Sequence, residues 1–256
     1  MAKAPVPGQV KTRLVPLLTP NMAAVLSAAF LRDITENIAL AACGTNISGF
    51  VAYAPAGSEA LFDGMLGQDT RFVLADGAAV SAPRVQGFGR CLLHAAQSLL
   101  ADGYGSVCLL NSDSPNLPTS LLSEAAEVLA LAGDRVVLGP AEDGGYYLLG
   151  MKAPHLHLFE DIAWSTSNVA AQTRERAGAL GLPIVELAPW YDVDDAVALR
   201  RLCHELNAPS RVDVLDPFRA PATAECVERL RIRELLTAEQ GDKSSECCRI
   251  EGASIA

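Results

Sequence analysis

The sequence predicts an α/β protein built on a parallel central sheet. Two observations carry this reading: short apolar or β-branched runs alternate with helix-period segments along most of the chain, and polar clusters follow the apolar runs. A third is size. The 256 residues are 50% apolar (AVILMFWYC) and 20% charged, enough to bury one core without a disulfide or metal staple.

The elements follow in order. Thr19 is a helix N-cap with Pro20 at the first helical position, opening an Ala/Leu helix that should end near Gly44. Residues 50–53 and 71–74 read as short strands, stopped by Pro55 and by Asp76-Gly77. A helix over 92–100 stops at Asp102-Gly103, and 107–110 follows as a strand expected to be buried on both faces. That strand ends on Asn111-Ser-Asp-Ser-Pro115. A helix from about Pro118 to Gly133 comes next, then strands at 135–138 and, after a Gly144-Gly145 turn, at 146–149. A helix at 169–177, a strand at 184–187 and a helix after Asp194-Asp195 complete the pattern. One domain over 1–236 is expected, with 237–256 a disordered tail because its small and polar residues carry no apolar period.

Thirty Asp and Glu against twenty Lys and Arg give a net charge of −10, so the chain repels polyanions and nucleic acid is not an expected partner. No run approaches the eighteen apolar residues of a membrane span, and Lys3, Pro5 and Pro7 leave no apolar leader segment. Seven cysteines, odd in number and without CxxC or Cys/His spacing, fit a reducing cytoplasm.

Ligands of open α/β sheets sit beyond the carboxyl ends of the strands, so the polar clusters after residues 110, 138 and 187 should meet in one cleft. Four constellations stand out. Lys3, Lys11 and Arg13 fall within eleven residues beside Pro5, Pro7 and Gly8, a stiff loop able to gather cations around a polyphosphate. It lacks Walker spacing, and a solvated basic arm is the plainer alternative. Asp113 follows the buried strand, where a hard carboxylate can hold Mg²⁺ or Mn²⁺, although an Asp/Ser turn leading to Pro118 reads equally well.

Asp192 and Asp194, two apart in extended chain, point the same way and either could supply a second ligand; Asp195 is the expected cap of the next helix. In Glu142-Asp-Gly-Gly145, the glycines permit a turn whose N–H groups face a ligand, and Asp143 can accept from a hydroxyl; a simple hairpin is the alternative. His155 and His157 alternate, but with no third ligand nearby they are not read as a metal pair.

Together and in this order, these segments resemble the DUF2064 group of nucleotide-diphospho-sugar transferases of the GT-A fold, related to 2-phospho-lactate guanylyltransferases and molybdenum-cofactor nucleotidylyltransferases. The resemblance rests on residues 3–14, Ser112-Asp-Ser-Pro115 with Leu117-Pro118, Gly139-Pro140, residues 143–147, Trp164-Ser-Thr166 and Asp192-Val-Asp194, and covers about residues 2–205. It implies a three-layer sandwich with a mostly parallel sheet.

It also implies that Lys3, Gly8, Lys11 and Arg13 hold nucleotide phosphates and that Asp113 with Asp194 or Asp192 coordinates Mg²⁺ or Mn²⁺. Asp143, Gly144 and Gly145 would line the acceptor or sugar side, with Asp113, Asp143 and Lys11 catalytic. Two departures matter. The family carries a short apolar strand before the loop matching Lys3, which is expected to be truncated here, and residues 86–90 lack an expected acid.

The resemblance implies a cytoplasmic enzyme that takes a nucleotide and a small-molecule acceptor, with a homodimer left open. Glycosyl transfer from an NDP-sugar is slightly preferred. Nucleotidylyl transfer from an NTP, with pyrophosphate leaving, suits the three cations; an inactive binding module is the third reading.

Overall fold

The computed structural model describes residues 1–207 and 215–238. Its first long element, α1 (Pro20–Ala42), starts where the cap chemistry puts it: the Thr19 side chain accepts the Met22 N–H at 3.2 Å and Pro20 sits at the first turn. Leu26 and Phe30 bury one face. The other buried stripe is polar and tied to later elements. Asn37 donates to the Leu117 carbonyl at 2.7 Å, and Asp33 accepts the Ala222 and Thr223 N–H groups.

Strands β1 (Phe50–Tyr53) and β2 (Arg71–Leu74) pair in parallel, Phe50 opposite Arg71. A second sheet holds β3 (Val107–Leu110), β4 (Val136–Pro140), β5 (Tyr146–Met151) and β6 (Ile184–Glu186), in the order β3-β5-β4-β6. Strands β4 and β6 are parallel, whereas β5 runs antiparallel to both β3 and β4. The short 141–145 connection explains this, since a parallel partner needs a long crossover. The hairpin alternative for the Asp-Gly-Gly turn is therefore the geometry found, within a sheet whose β3, β4 and β6 share one direction.

Helices cover both faces of this sheet. Leu121 and Leu129 of α3 (Thr119–Ala130), Leu199 of α5 (Ala196–Glu205) and Val227 of α6 (Pro221–Arg229) pack with α1 against Val137 and Leu148. On the opposite face, Leu92 and Leu93 of α2 (Phe88–Ala101) and Ala170 and Ala177 of α4 (Val169–Ala179) pack against Val136, Leu138 and Leu149. Successive residues of β4 and β5 thus serve opposite layers, as strand period requires. The result is the three-layer sandwich.

Two expectations need adjustment. Strand β3 is not buried on both faces, because Cys108 is exposed, turned into a cavity beside the strand. Helix α3 stops at Ala130, short of Gly133. The expected tail lies outside the described residues from 239 onward. Among the described residues, no helix is long and apolar enough to cross a membrane, and the five cysteines are free thiols.

Candidate active site

Beyond the carboxyl end of β3 the chain enters residues 111–114 and meets the segment before α5. The Val193 N–H donates to the Asp113 carbonyl at 2.8 Å, and Ala141 forms a parallel bridge with Trp190. These backbone contacts bring two acidic loops side by side. Asp195 caps α5 by accepting the Ala198 N–H at 2.8 Å, as expected of it.

Asp192 and Asp194 do not share partners, although their spacing would put them on one face of a strand. Asp192 Oδ1 accepts from Asn111 Nδ2 at 2.6 Å and from the Ser114 hydroxyl at 2.7 Å. Its carboxyl is pushed up to about 6, mainly by burial, against the opposing pull of those hydrogen bonds. Asp192 therefore locks the two loops together. Asn111 and Ser114 are the positioning residues that sequence reasoning missed; their polar types were visible, but their partner lies far along the chain.

Asp194 instead faces Asp113 across one cation. Lys11 Nζ lies 2.5 Å from Asp113 Oδ1 and 3.2 Å from Asp194 Oδ1, and it donates to the Val193 carbonyl at 2.8 Å. Its side chain is only 4% exposed, while those of Asp113 and Asp194 are 37% and 45% exposed. The Phe30 ring sits 5.3 Å below the ammonium. Lys11 holds this place from a left-handed backbone conformation, φ 48°, which a non-glycine residue adopts at a cost.

Arg13 is 74% exposed and reaches to 3.7 Å from Asp194 Oδ2. Lys3, Lys11, Arg13, Ser112, Asp113 and Asp194 line one open cleft of about 480 Å³. Gly8 lies outside that lining. Its positive φ of 78° makes the turn closed by Gln9 N–H donating to the Val6 carbonyl, which carries the basic loop toward the cleft.

The 143–145 turn differs from its expected form. The Gly144 N–H donates to the Ala141 carbonyl, and the Gly145 N–H to Asp143 Oδ1 at 2.8 Å, so both groups are used inside the turn. Gly144 has φ 90°, and a Cβ there would stand 2.1 Å from the Ser167 carbonyl oxygen; this packing against residues 164–168 is what requires glycine. Asp143 is exposed, and its charge contributes to raising Asp192. The two histidines diverge: His155 meets Asp134 and His157 meets Glu160.

The donor set suits a hard divalent cation. Two carboxylates already converge on one positive charge, and Mg²⁺ or Mn²⁺ typically takes one or two carboxylates and completes its shell with water and phosphate oxygens. Among the described residues no cluster of three or more His, Cys, Asp or Glu side chains is arranged around a metal point. The protein therefore offers a partial shell at Asp113 and Asp194, with Lys11 standing between them.

A three-layer α/β sandwich with charged loops gathered beyond the strand ends defines a GT-A-like fold. The chain belongs to the DUF2064 family, described as "uncharacterized protein conserved in bacteria", whose model matches residues 38–166. Its structure is similar to that of a "putative nucleotide-diphospho-sugar transferase" from Desulfovibrio desulfuricans G20. That similarity has a TM-score of 0.74 at 28% sequence identity and covers 91% of this chain and 95% of the other. No curated protein matches the chain.

Proposed function

We propose that the protein is a metal-dependent transferase that moves a sugar from an NDP-sugar to a small-molecule acceptor. The observation that carries this reading is the convergence of Asp113 and Asp194 on a single cation point in the 480 Å³ cleft, with Arg13 and Lys3 at its rim. The similarity to the Desulfovibrio desulfuricans protein supports the transferase class. Transfer forms a bond from the acceptor oxygen to the anomeric carbon and breaks the bond from that carbon to the diphosphate, which leaves with the electron pair.

Asp113 and Asp194 would hold Mg²⁺ or Mn²⁺, which supplies charge stabilisation to the departing diphosphate when bound. Lys11, released from the carboxylates, and Arg13 hold phosphate oxygens by charge-assisted bonds, with Lys3 adding positive potential at the rim. Asp143, exposed at the 143–145 turn, would take the acceptor proton. Asp192, held by Asn111 and Ser114, keeps the two loops in register.

Nucleotidylyl transfer is the second reading, favoured by the three cations of the basic loop. The similarity to the "putative nucleotide-diphospho-sugar transferase" from Desulfovibrio desulfuricans G20 favours glycosyl transfer over it. Calorimetry of the protein with Mn²⁺ and NDP-sugars or NTPs tests the choice. NDP-sugar binding followed by NDP release supports glycosyl transfer. NTP binding with pyrophosphate release on adding a phospho-acceptor replaces it, and silence from both leaves an inactive binding module.

A further inference from the structure

Three segments furnish the candidate site: 111–116 with Asp113, 141–145 with Asp143, and 190–194 with Asp194. Asp192 joins the first to the third. A second tie reaches all three, and it comes from α5, which stands outside the lining of the charged cleft.

Its centre is Arg201. Arg201 Nη1 donates to Glu142 Oε1 at 3.0 Å and Oε2 at 2.8 Å, and its Nε donates to Glu205 Oε1 at 3.0 Å. The guanidinium lies 3.7 Å from the centroid of the Tyr191 ring. Glu205 accepts with its other oxygen from the Tyr191 hydroxyl at 2.6 Å and from Asn116 Nδ2 at 2.8 Å. Burial, with Glu205 beside it, pushes the Tyr191 phenol up, so it stays a donor to Glu205 while accepting from Asn116 at 2.9 Å.

Every residue held this way neighbours one of the site carboxylates. Glu142 precedes Asp143, Tyr191 precedes Asp192, and Asn116 lies three residues beyond Asp113. The Glu142 N–H also donates to the Trp190 carbonyl at 2.9 Å, so its backbone and side chain are anchored to different elements. The charges of Asp113 and Asp143 both push the Asp192 carboxyl up, which puts the three carboxylates in one neighbourhood.

Arg201 and Glu142 are 42% and 52% exposed, and an ion pair so exposed contributes little to stability. Its value is geometric. A stacked guanidinium that bonds two carboxylates is a rigid spacer, a part that a lysine ammonium cannot play.

We propose that Arg201 is a positioning residue of the transferase, holding the 141–145 turn, and with it Asp143, against the loops that carry Asp113 and Asp194. On the glycosyl-transfer reading, from which this role follows, Asp143 takes the acceptor proton while the diphosphate leaves at the Asp113–Asp194 point. The two groups sit on different loops, and a misplacement of about 1 Å costs about 100-fold in rate.

The test measures Mn²⁺-dependent NDP release by the full chain from UDP-glucose, GDP-glucose and GDP-mannose, with glycerol as acceptor. Arg201→Met should lower kcat by at least about tenfold. KM for the NDP-sugar should stay within about twofold, because Asp192 and the Val193 N–H still hold the metal loops. Glu142→Ala should reproduce the loss, Glu142→Gln should recover part of it through its remaining acceptor oxygen, and Arg201→Met with Glu142→Ala should be no slower than either alone. Arg174→Met breaks a comparable exposed pair, with Glu186, and should leave kcat within about twofold of wild type.

An active wild type with unchanged kcat in Arg201→Met and Glu142→Ala would overturn the positioning role alone. So would an equal loss in Arg174→Met, or losses that multiply in the double variant. No NDP release by the wild type would overturn the transferase reading and this role with it. If circular dichroism shows Arg201→Met unfolded, the exposed Glu142→Ala decides, since it leaves Arg201 stacked on Tyr191 and bonded to Glu205.

Discussion

The Lys11 ammonium stands 2.5 Å from the Asp113 carboxylate, in the position a divalent cation would share with Asp194. One side chain thus bridges the acidic pair, and the same side chain is a phosphate ligand in the proposed reaction.

Lys11→Ala removes the competing ammonium. Mn²⁺ should then bind more tightly in the absence of nucleotide, while NDP-sugar affinity falls about 10- to 100-fold, the scale of one charge-assisted bond to phosphate. Isothermal titration reads both. An unchanged Mn²⁺ Kd would separate Lys11 from the metal point.

Asp113→Asn keeps the shape of the side chain, and Lys11 retains Asp194 and the Val193 carbonyl as partners. The fold should persist by circular dichroism while Mn²⁺-dependent NDP release falls by about 100-fold or more. Wild-type turnover in this variant would remove Asp113 from the mechanism.

Asp33 is fully buried, and its carboxyl is pushed up from 3.8 to about 6, chiefly by desolvation. Between pH 3.8 and 6 the folded state keeps a proton that the unfolded state releases, so this group's contribution to stability falls as pH rises through that window. In Asp33→Asn that dependence is lost. The variant's unfolding free energy, relative to wild type, should rise by about 2 kcal/mol from pH 4 to pH 7. Superimposed is a constant cost, because an amide nitrogen would face the Ala222 or Thr223 N–H. Urea unfolding at stepped pH measures both; a difference that stays flat with pH would refute the assignment.

Gly144 and Gly8 both have positive φ, but only Gly144 lacks room for a methyl group. Gly144→Ala should cost about 3 kcal/mol or more, combining backbone strain with the clash on the Ser167 carbonyl. Gly8→Ala should cost about 1 kcal/mol from conformation alone. Equal costs in urea unfolding would show that the 143–145 turn moves freely away from residues 164–168.

Much of the architecture was legible from local rules. Thr19 and Asp195 cap the helices assigned to them, and β1, β2 and β3 coincide with the apolar runs at 50–53, 71–74 and 107–110. The antiparallel course of β5 was present as the hairpin reading of the turn before it, but no apolar period reports strand direction. Residues 192 and 194 show where spacing fails. Two-residue alternation puts side chains on one face only in a regular strand, and the 190–194 segment is held instead by isolated backbone bonds to Asp113, Pro140 and Glu142.

The sequence by itself determined the alternation of strand and helix, the caps, and which loops carry acids and bases, because these depend on interactions within a few residues along the chain. Tertiary structure alone decided that Asp113 and Asp194 meet at Lys11, that Asp192 turns inward to Asn111 and Ser114, and that an open gap separates β1 from β3. Each of those outcomes is set by backbone pairing and packing between segments far apart in the chain, where the identity of a residue carries no record of its partner.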